Sequence, residues 1–394
     1  MNIDFEKIFR IMVFAMRVNR SHPDIPRDKK WILQVMLMHG IFSLIFCLLA
    51  YSIIYHDLQN KDFTQACSSG VLCVIFSVVT FKYCIMVWYQ KLFRNMIEIM
   101  KRDYKLSLKL PMDEQDIILK YAIKGRAVIK LWLWVAICTA GLFIVKANAY
   151  MIYYKITGQF ELVHLYELTY PSMIEEIKYE PGPFVAIYLA FLFFDIYAVF
   201  MYIAFAPLGP ILMLHTCGQL EIVKVRLLKI FPKKRIDPEK TRRELKEIVK
   251  YLQKIYSLVD NIKDSLKLLY ELILKATIII LPISFYQVVQ TYHNGQISLE
   301  FISVIFGAIT ISGVPCYYSD MLQEMGENVR LSVYTSGWEK SWDRQTRLTL
   351  QLVLMRATRP VAVTTMFHTL CLETVTSTYQ QAYALFNLLN AVWN

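Results

Sequence analysis

Apolar residues along the chain gather into seven runs, each about as long as a helix that crosses a bilayer. A membrane hydrocarbon core is about 30 Å thick, and ~20 helical residues span it. The runs lie at residues 31–55, 67–89, 128–153, 184–214, 268–291, 299–319 and 364–390. This pattern predicts an all-α integral membrane protein with seven transmembrane helices.

The last run differs from the other six because one of its faces is polar. At ~100° per residue, a set of mostly polar residues falls on one side of the helix. This set is Thr369, Glu373, Thr376, Ser377, Gln380, Ala384 and Asn387. The other side carries Leu372, Val375, Tyr379, Phe386 and Leu389. Such a membrane helix either lines an aqueous path or packs its polar face against partner helices.

Polar and helix-breaking residues inside the other runs predict local features. Pro207 and Pro210 are expected to kink or break the fourth helix near its inner end. Lys82 lies in the half of the second run that we expect on the cytosolic side, where its amine can snorkel toward water. Lys146 and Asp195 are costly inside a membrane. Two alternatives stay open for them: they pair with each other, or Lys146 snorkels outward.

The charges between the runs predict the orientation of the chain. Lys and Arg concentrate before the third run, between the fourth and fifth, and before the seventh. The loop at 154–182 instead carries five Glu against two Lys. Because cytosolic loops of membrane proteins are rich in Lys and Arg, we expect the amino terminus inside and the carboxyl terminus outside.

Two basic segments have a helical pattern of their own. Residues 1–32 are amphipathic and are predicted to lie on the inner membrane surface, with a loosely ordered tail as the alternative. Apolar residues within 215–267 recur at helical spacing. This segment is predicted to extend the fourth and fifth helices into the cytosol, with a solvated helical linker as the alternative.

Composition narrows the class of protein further. Of 394 residues, 56% are hydrophobic and 19% charged, which is typical of an integral membrane protein. The net charge of +11 lies in blocks between apolar runs, so we expect no nucleic-acid partner. The eight cysteines are scattered without disulfide or zinc spacing. No HExxH, GxSxG or GxxxxGK[ST] motif occurs, so we expect neither an enzyme, a metal site nor a cofactor.

Two stretches resemble the insect odorant receptor family. The first is CGQLEIVKVRL at Cys217 to Leu227, and the second is the tail from Val333 to Leu389. The tail matches the family pattern in order and spacing at Val333-Tyr334, Ser336, Trp338, Arg356-Ala357, Arg359-Pro360, Leu372-Glu373-Thr374, Ser377, Tyr383, Phe386 and Leu388-Leu389. It departs from that pattern at Leu385 and Asn390, where relatives commonly carry Tyr and a basic residue.

The resemblance implies an odorant-specific subunit of a ligand-gated, nonselective cation channel. Its partners would be the obligate co-receptor (Orco) in a heterotetramer, a small volatile ligand and membrane lipid, in the plasma membrane of an olfactory sensory neuron. A gustatory-type channel of the same superfamily and a G-protein-coupled seven-helix receptor are the alternatives. A secondary transporter is disfavoured because no pair of matching broken helices occurs in two halves.

The apolar runs and the charges between them divide the chain, and the resemblance implies the roles of the anchor and of the pore helix. We expect a cytosolic segment at 1–32, helices one to six at 33–319 with the extension at 215–267, a cytosolic anchor at 320–362, and a pore-lining helix at 363–390. The expected pore residues are Thr369, Glu373, Thr376, Gln380, Ala384 and Asn387, with Leu388 at the family's hydrophobic gate position. For Glu373, hydrogen bonding to neighbouring helices is an equal alternative to attracting cations.

An odorant pocket should be apolar and sparsely polar. The family places its pocket among the outer halves of the second, third, fourth and sixth helices. The residues expected there are Phe76, Phe143, Lys146, Tyr150, Phe184, Tyr188, Phe191, Phe301, Ile305 and Phe306. For each aromatic residue, lipid contact or core packing is the alternative role.

Overall fold

The computed structural model describes residues 4–158, 161–231, 237–340 and 343–393. Within these ranges the regular structure is helical, apart from one isolated bridge between Thr364 and Thr369. Six of the described helical segments are long and apolar enough to cross a membrane. The predicted all-α membrane fold is confirmed. The basic residues Lys233, Lys234 and Arg235 of the predicted extension lie outside the described ranges.

Thirteen α-helices follow one another along the described parts of the chain. They are α1 (Phe5–Ile8), α2 (Arg10–Val18), α3 (Lys29–Ser52), α4 (Phe63–Trp88), α5 (Gln90–Ser107), α6 (Met112–Ile156), α7 (Ser172–Glu175), α8 (Pro181–Phe205), α9 (Leu208–Lys229), α10 (Pro238–His293), α11 (Leu299–Tyr334), α12 (Arg344–Ala357) and α13 (Leu372–Trp393). A π-helical turn, Ile53–Asp57, continues α3.

Several helices are much longer than a bilayer is thick. α6 has 45 residues and α10 has 56, which correspond to about 68 Å and 84 Å at 1.5 Å per residue. The excess lies at the end of the bundle that also holds α1, α2, α5, α9 and α12, and this end is termed the long-helix end. The opposite end, with the loops at 58–62, 157–180 and 294–298, is termed the short-loop end.

Proline explains where the fourth spanning segment divides. α8 ends at Phe205 and α9 begins at Leu208, so the helix breaks at Pro207, as the sequence indicates. Pro210 lies in the first turn of α9, where its missing N–H costs no helical hydrogen bond. Pro282 and Pro315 lie inside α10 and α11, and both helices continue past them.

The amino-terminal helices pack into the helical body. Phe9, Met12 and Met16 are fully buried, and α2 contacts α8. Phe9 also approaches the backbone of α6 at Gly125, where an added Cβ would lie 3.1 Å from its ring. The amino-terminal segment is therefore part of the core rather than a loosely ordered tail.

Charged side chains at the long-helix end are paired across helices. Arg226 donates two hydrogen bonds to Glu114, at 2.9 and 2.7 Å. His215 Nε2 lies 3.1 Å from Asp103 Oδ2. Because a buried charge is costly unless it has a partner, these pairs allow polar residues into the core of this end.

One carboxylate attaches α12 to α10. Asp343 accepts hydrogen bonds from Arg242 Nε and Nη2, at 2.8 and 2.7 Å, and from the backbone N–H of Thr346, at 3.0 Å. The Arg242 guanidinium, together with Thr346, holds the pKa of the Asp343 carboxyl well below its usual range. Asp343 thus caps α12 and joins it to its neighbour.

The predicted start of the seventh helix was wrong. α13 begins at Leu372, because residues 363–371 form a tight turn. In this turn the N–H of Thr365 donates to the carbonyl of His368 at 2.7 Å, and the N–H of Leu370 to the carbonyl of Val363 at 2.9 Å. These local hydrogen bonds replace helical ones, which a helical wheel cannot anticipate. Thr369 therefore lies on the turn and not on the helix to which the sequence assigned it.

Candidate functional site

A cavity of about 120 Å³ lies among the spanning helices. α4, α6, α8, α10 and α11 all line it, and Tyr166 reaches it from the loop at 157–180. An engineered apolar cavity of about 150 Å³ holds benzene. The space therefore suits a ligand of about that size.

Small residues create this space. Six lining positions on four helices are Ala or Gly: Ala136, Ala140, Ala198, Ala276, Gly307 and Ala308. Branched residues such as Leu72, Val79 and Val304 form much of the rest of the wall, together with four aromatic residues and the ionisable Lys82 and Asp195. Because side chains too short to meet across the bundle leave a gap between well-packed helices, the cavity follows directly from the sequence of these positions.

Lys82 on α4 provides an amine in the apolar wall. Its side chain lines the cavity and is only 1% exposed. Nζ lies 5.0 Å from the centroid of the Tyr202 ring, and it has no hydrogen-bond partner among the described residues. The sequence predicted that this amine would snorkel toward water, and that prediction was wrong because the neighbouring helices enclose it.

Asp195 on α8 provides a second ionisable group in the same cavity. It is 4% exposed, and its Oδ1 accepts a hydrogen bond of 2.6 Å from the Tyr166 hydroxyl. Its Oδ2 is buried without a partner among the described residues. Neither Asp195 oxygen lies within the 4.0 Å of Lys82 Nζ that would make an ion pair. The cavity thus holds two buried polar atoms that the protein itself leaves unsatisfied.

The structure resolves the two alternatives for Lys146. Lys146 is 47% exposed at the short-loop end, and its Nζ lies 2.7 Å from Glu300 Oε1. It does not pair with Asp195, which bonds to Tyr166 instead. A cross-helix ion pair at the protein surface is therefore its observed role.

Of the ten residues expected to bind a ligand, Phe143 lines the cavity. Phe301 packs on the Phe143 ring with centroids 5.9 Å apart, and Phe191 packs on the Tyr166 ring at 5.3 Å. These two aromatic rings form a layer directly behind the cavity wall. They can shape the site without touching its contents.

The other seven expected residues lie away from the cavity lining. Phe76 stacks on Phe42 and Phe46, Phe184 packs beside His164, Tyr188 bonds to Asn148, and Ile305 is buried. Lys146, Tyr150 and Phe306 are exposed. Their place in a ligand site stays a prediction.

The seventh helix carries the second candidate site. The expected pore residues on α13 all face away from the rest of the subunit and are exposed: Glu373, Thr376, Gln380, Ala384, Asn387 and Leu388. Thr369 is exposed on the preceding turn. The opposite face packs on α10 and α11 through buried Val375, Thr378 and Ala382. Leu372, expected on the packed side, is exposed.

Hydrogen bonds join the cavity helix α11 to α13. The Tyr379 hydroxyl donates to the carbonyl of Ile309 at 3.0 Å and lies 3.1 Å from Ser312 Oγ. Gly307, Ala308 and Ile311 of the same α11 turns line the cavity. One short piece of α11 therefore contacts both candidate sites.

Sequence reasoning missed Lys82 and Tyr166 as cavity residues. Lys82 had a detectable signal, since it is a charge inside an apolar run. Tyr166 had none, because it lies in a polar loop whose path toward the helices depends on tertiary contacts. The cavity also reaches α10, which the expected pocket did not include.

The fold and its cavity define a multi-pass, all-helical membrane protein with a small internal site among its spanning helices. A sequence model of the family described as "7tm Odorant receptor" matches residues 62–383, and the chain belongs to this family. Its seven-helix fold is similar to solved structures of the insect olfactory receptor OR5 from Machilis hrabei. The structure with eugenol has a TM-score of 0.75 at 14% identity and covers 98% of each chain. The structure of OR5 alone has a TM-score of 0.74 at 15% identity and covers 98% of this chain and 97% of the other. A search of curated proteins finds no match.

Proposed function

We infer that the chain is the odorant-binding subunit of a ligand-gated, nonselective cation channel. It assembles with the odorant co-receptor (Orco) as a heterotetramer in the plasma membrane of an olfactory sensory neuron. The observation that carries this proposal is the exposed polar stripe of α13. Family membership supports the receptor class, and the stripe supports the channel.

Polar side chains on a membrane helix need water or protein partners. α13 has 22 residues, about 33 Å, which is enough to cross a hydrocarbon core of about 30 Å. Glu373, Thr376 and Gln380 on this helix are exposed on the surface of the subunit. A stripe repeated once per subunit around a central axis satisfies this requirement and builds an aqueous pore.

The positions of the charges support the proposed orientation. The long-helix end, which carries most of the Lys and Arg, lies in the cytosol, and residues 320–362 with the turn at 363–371 form the anchor. Glu373 then lies near the inner mouth of the pore, where a carboxylate attracts cations. Leu388 lies near the outer end, where an apolar ring can close the pore by excluding water.

The cavity is the site of the odorant, and α11 connects it to the pore. A ligand that contacts Gly307 and Ala308 touches the turns of α11 to which Tyr379 of α13 is hydrogen-bonded. Binding opens the pore only to the extent that the ligand has higher affinity for the open arrangement of these helices. A site of this kind, next to the pore helix, needs no large rearrangement of the bundle.

Co-expression with the co-receptor tests the channel. Odorant-evoked cation currents should appear when both chains are present, and neither chain should respond alone.

A cavity-filling variant tests the odorant site. In Ala308→Leu the larger side chain fills the cavity, so the odorant concentration for half-maximal current should rise at least about tenfold. Ala149→Leu, at an exposed position of the lining helix α6, is the matched control. Silence across an odorant panel, in cells that display the chain at the surface, contradicts the proposal.

Labelling of the termini tests the orientation. An epitope at the amino terminus should be inaccessible in intact cells, and one at the carboxyl terminus accessible. The opposite result favours a G-protein-coupled receptor and removes the pore assignment.

A further inference from the structure

Among the described residues that line the cavity, Lys82 alone carries an amine, and its N–H donors have no acceptor there. Every other polar group of the lining is at least partly satisfied by the protein. The Thr139 and Thr277 hydroxyls bond to helix carbonyls at 2.8 Å, and Tyr166 bonds to Asp195. The Tyr202 ring, 5.0 Å from Nζ, offsets part of the cost of the buried amine but accepts no strong hydrogen bond. An unsatisfied buried donor costs free energy that a ligand acceptor recovers.

Asp195 limits which acceptor fits. Its carboxyl lines the same cavity, so a carboxylate ligand would place a second negative group close to it in a medium of low polarity. An amine ligand would bring a second set of N–H donors close to Lys82, which itself lacks an acceptor. A neutral ligand with an oxygen acceptor satisfies Lys82 and meets neither obstacle.

We propose that this receptor takes a small, neutral carbonyl compound, a ketone, aldehyde or ester on an apolar body, and that Lys82 Nζ donates the hydrogen bond to its carbonyl oxygen. The apolar body occupies the space left by the Ala and Gly positions, which is about the size of one six-membered ring. Lys82 acts as the residue that selects ligand chemistry, and the small residues select ligand size. The test of this inference by odorant-evoked current rests on the proposed function. The test by ligand binding to the purified chain does not.

A matched series of cyclohexyl compounds tests the chemistry. Methylcyclohexane, cyclohexanol, cyclohexanone and cyclohexylamine differ in one non-hydrogen substituent, and cyclohexanecarboxylate adds the anionic case. In cells with the co-receptor, cyclohexanone should act at a concentration at least about tenfold lower than methylcyclohexane, the equivalent of one charge-assisted hydrogen bond. A response to the amine or the carboxylate that exceeds the response to cyclohexanone overturns the proposal, and so does a response to methylcyclohexane as strong as that to the ketone.

Substitution of Lys82 tests the assigned donor. Lys82→Met keeps the length of the side chain and removes the donors, so the preference for cyclohexanone over methylcyclohexane should vanish. Lys130→Met, at an exposed position of α6, is the matched control and should keep the preference. Loss of the preference in Lys146→Met but not in Lys82→Met would move the acceptor site to the short-loop end and overturn the proposal.

A binding measurement separates this inference from the channel proposal. Cyclohexanone should raise the thermal midpoint of the purified chain by mass action, more than methylcyclohexane does, and the difference should be absent in Lys82→Met. Asp195→Asn, which preserves shape, should allow stabilisation by cyclohexanecarboxylate and so provides a second variant if Lys82→Met does not fold. Stabilisation by the ketone without any current contradicts the channel and supports the cavity chemistry. Equal stabilisation by ketone and hydrocarbon, with normal currents, overturns the inference alone.

Discussion

The long-helix end and the cavity both bury charged side chains, but only the first pairs them. Arg226 Nε and Nη2 donate one hydrogen bond each to the two carboxylate oxygens of Glu114. Lys82 and Asp195 line one cavity, yet each keeps a polar atom without a partner among the described residues. Paired charges hold helices together. A buried group without a partner instead destabilises the fold, and a ligand that bonds to it can remove that cost.

Packing is also tighter at the long-helix end than around the cavity. At the long-helix end, a Cβ on Gly209 of α9 would lie 1.9 Å from the Tyr270 hydroxyl and 3.1 Å from Leu266 Cδ1. At the cavity, a Cβ on Gly307 of α11 would lie no closer than 3.4 Å to another side chain. The first region has no room for one extra carbon atom, and the second has room for a small molecule.

The largest expected effect comes from removal of a paired charge. Arg226→Met leaves Glu114 buried without its partner and should lower stability by about 3 kcal/mol, seen as a lower thermal midpoint of the purified chain and less protein at the cell surface. Arg243→Met is the matched control, because Arg243 and its partner Glu239 are exposed. Equal midpoints for the two variants would mean that the Arg226 pair does not stabilise the long-helix end.

The next effect comes from one added carbon atom in each region. Gly209→Ala should destabilise by about 1–3 kcal/mol through overpacking against Tyr270. Gly307→Ala should be neutral or gain up to about 1 kcal/mol from helix propensity, while it narrows the cavity. The thermal midpoint should therefore fall in Gly209→Ala and stay equal or rise in Gly307→Ala, and a similar fall in both variants would contradict the proposed difference in packing.

The smallest effect concerns the pH dependence of the α12 contact. Because Arg242 lowers the pKa of the folded Asp343 carboxyl below its ordinary 3.8, the contact stabilises the fold above pH 3.8 and is lost as the pH falls through the lower folded pKa. Melting curves between neutral and acidic pH should show this acid-sensitive contribution in the wild type and not in Asp343→Asn. Asp264→Asn, at an exposed site on α10, should keep it.

Sequence patterns predicted the spanning helices well because burial in a membrane requires long apolar runs. The break at Pro207 followed from the chemistry of proline. The turn at 363–371 did not follow from the sequence. Thr369 fits the helical spacing of the polar stripe, but local hydrogen bonds hold residues 363–371 in a turn, and the helix begins only at Leu372. The position of Lys82 did not follow either, because snorkelling and burial differ only in the helices that surround the side chain. Most expected ligand residues were aromatic, whereas the space of the cavity comes mainly from Ala and Gly positions on the facing helices.

The most direct test is the thermal midpoint of Lys82→Met with and without cyclohexanone. If Lys82 is an unpaired charge kept for a carbonyl ligand, the ligand-free midpoint should equal or exceed that of the wild type, and cyclohexanone should no longer shift it more than methylcyclohexane does. A ligand-free midpoint that falls as in Arg226→Met, with the extra shift from cyclohexanone preserved, would contradict the account, because Lys82 would then stabilise the fold and not bind the ligand.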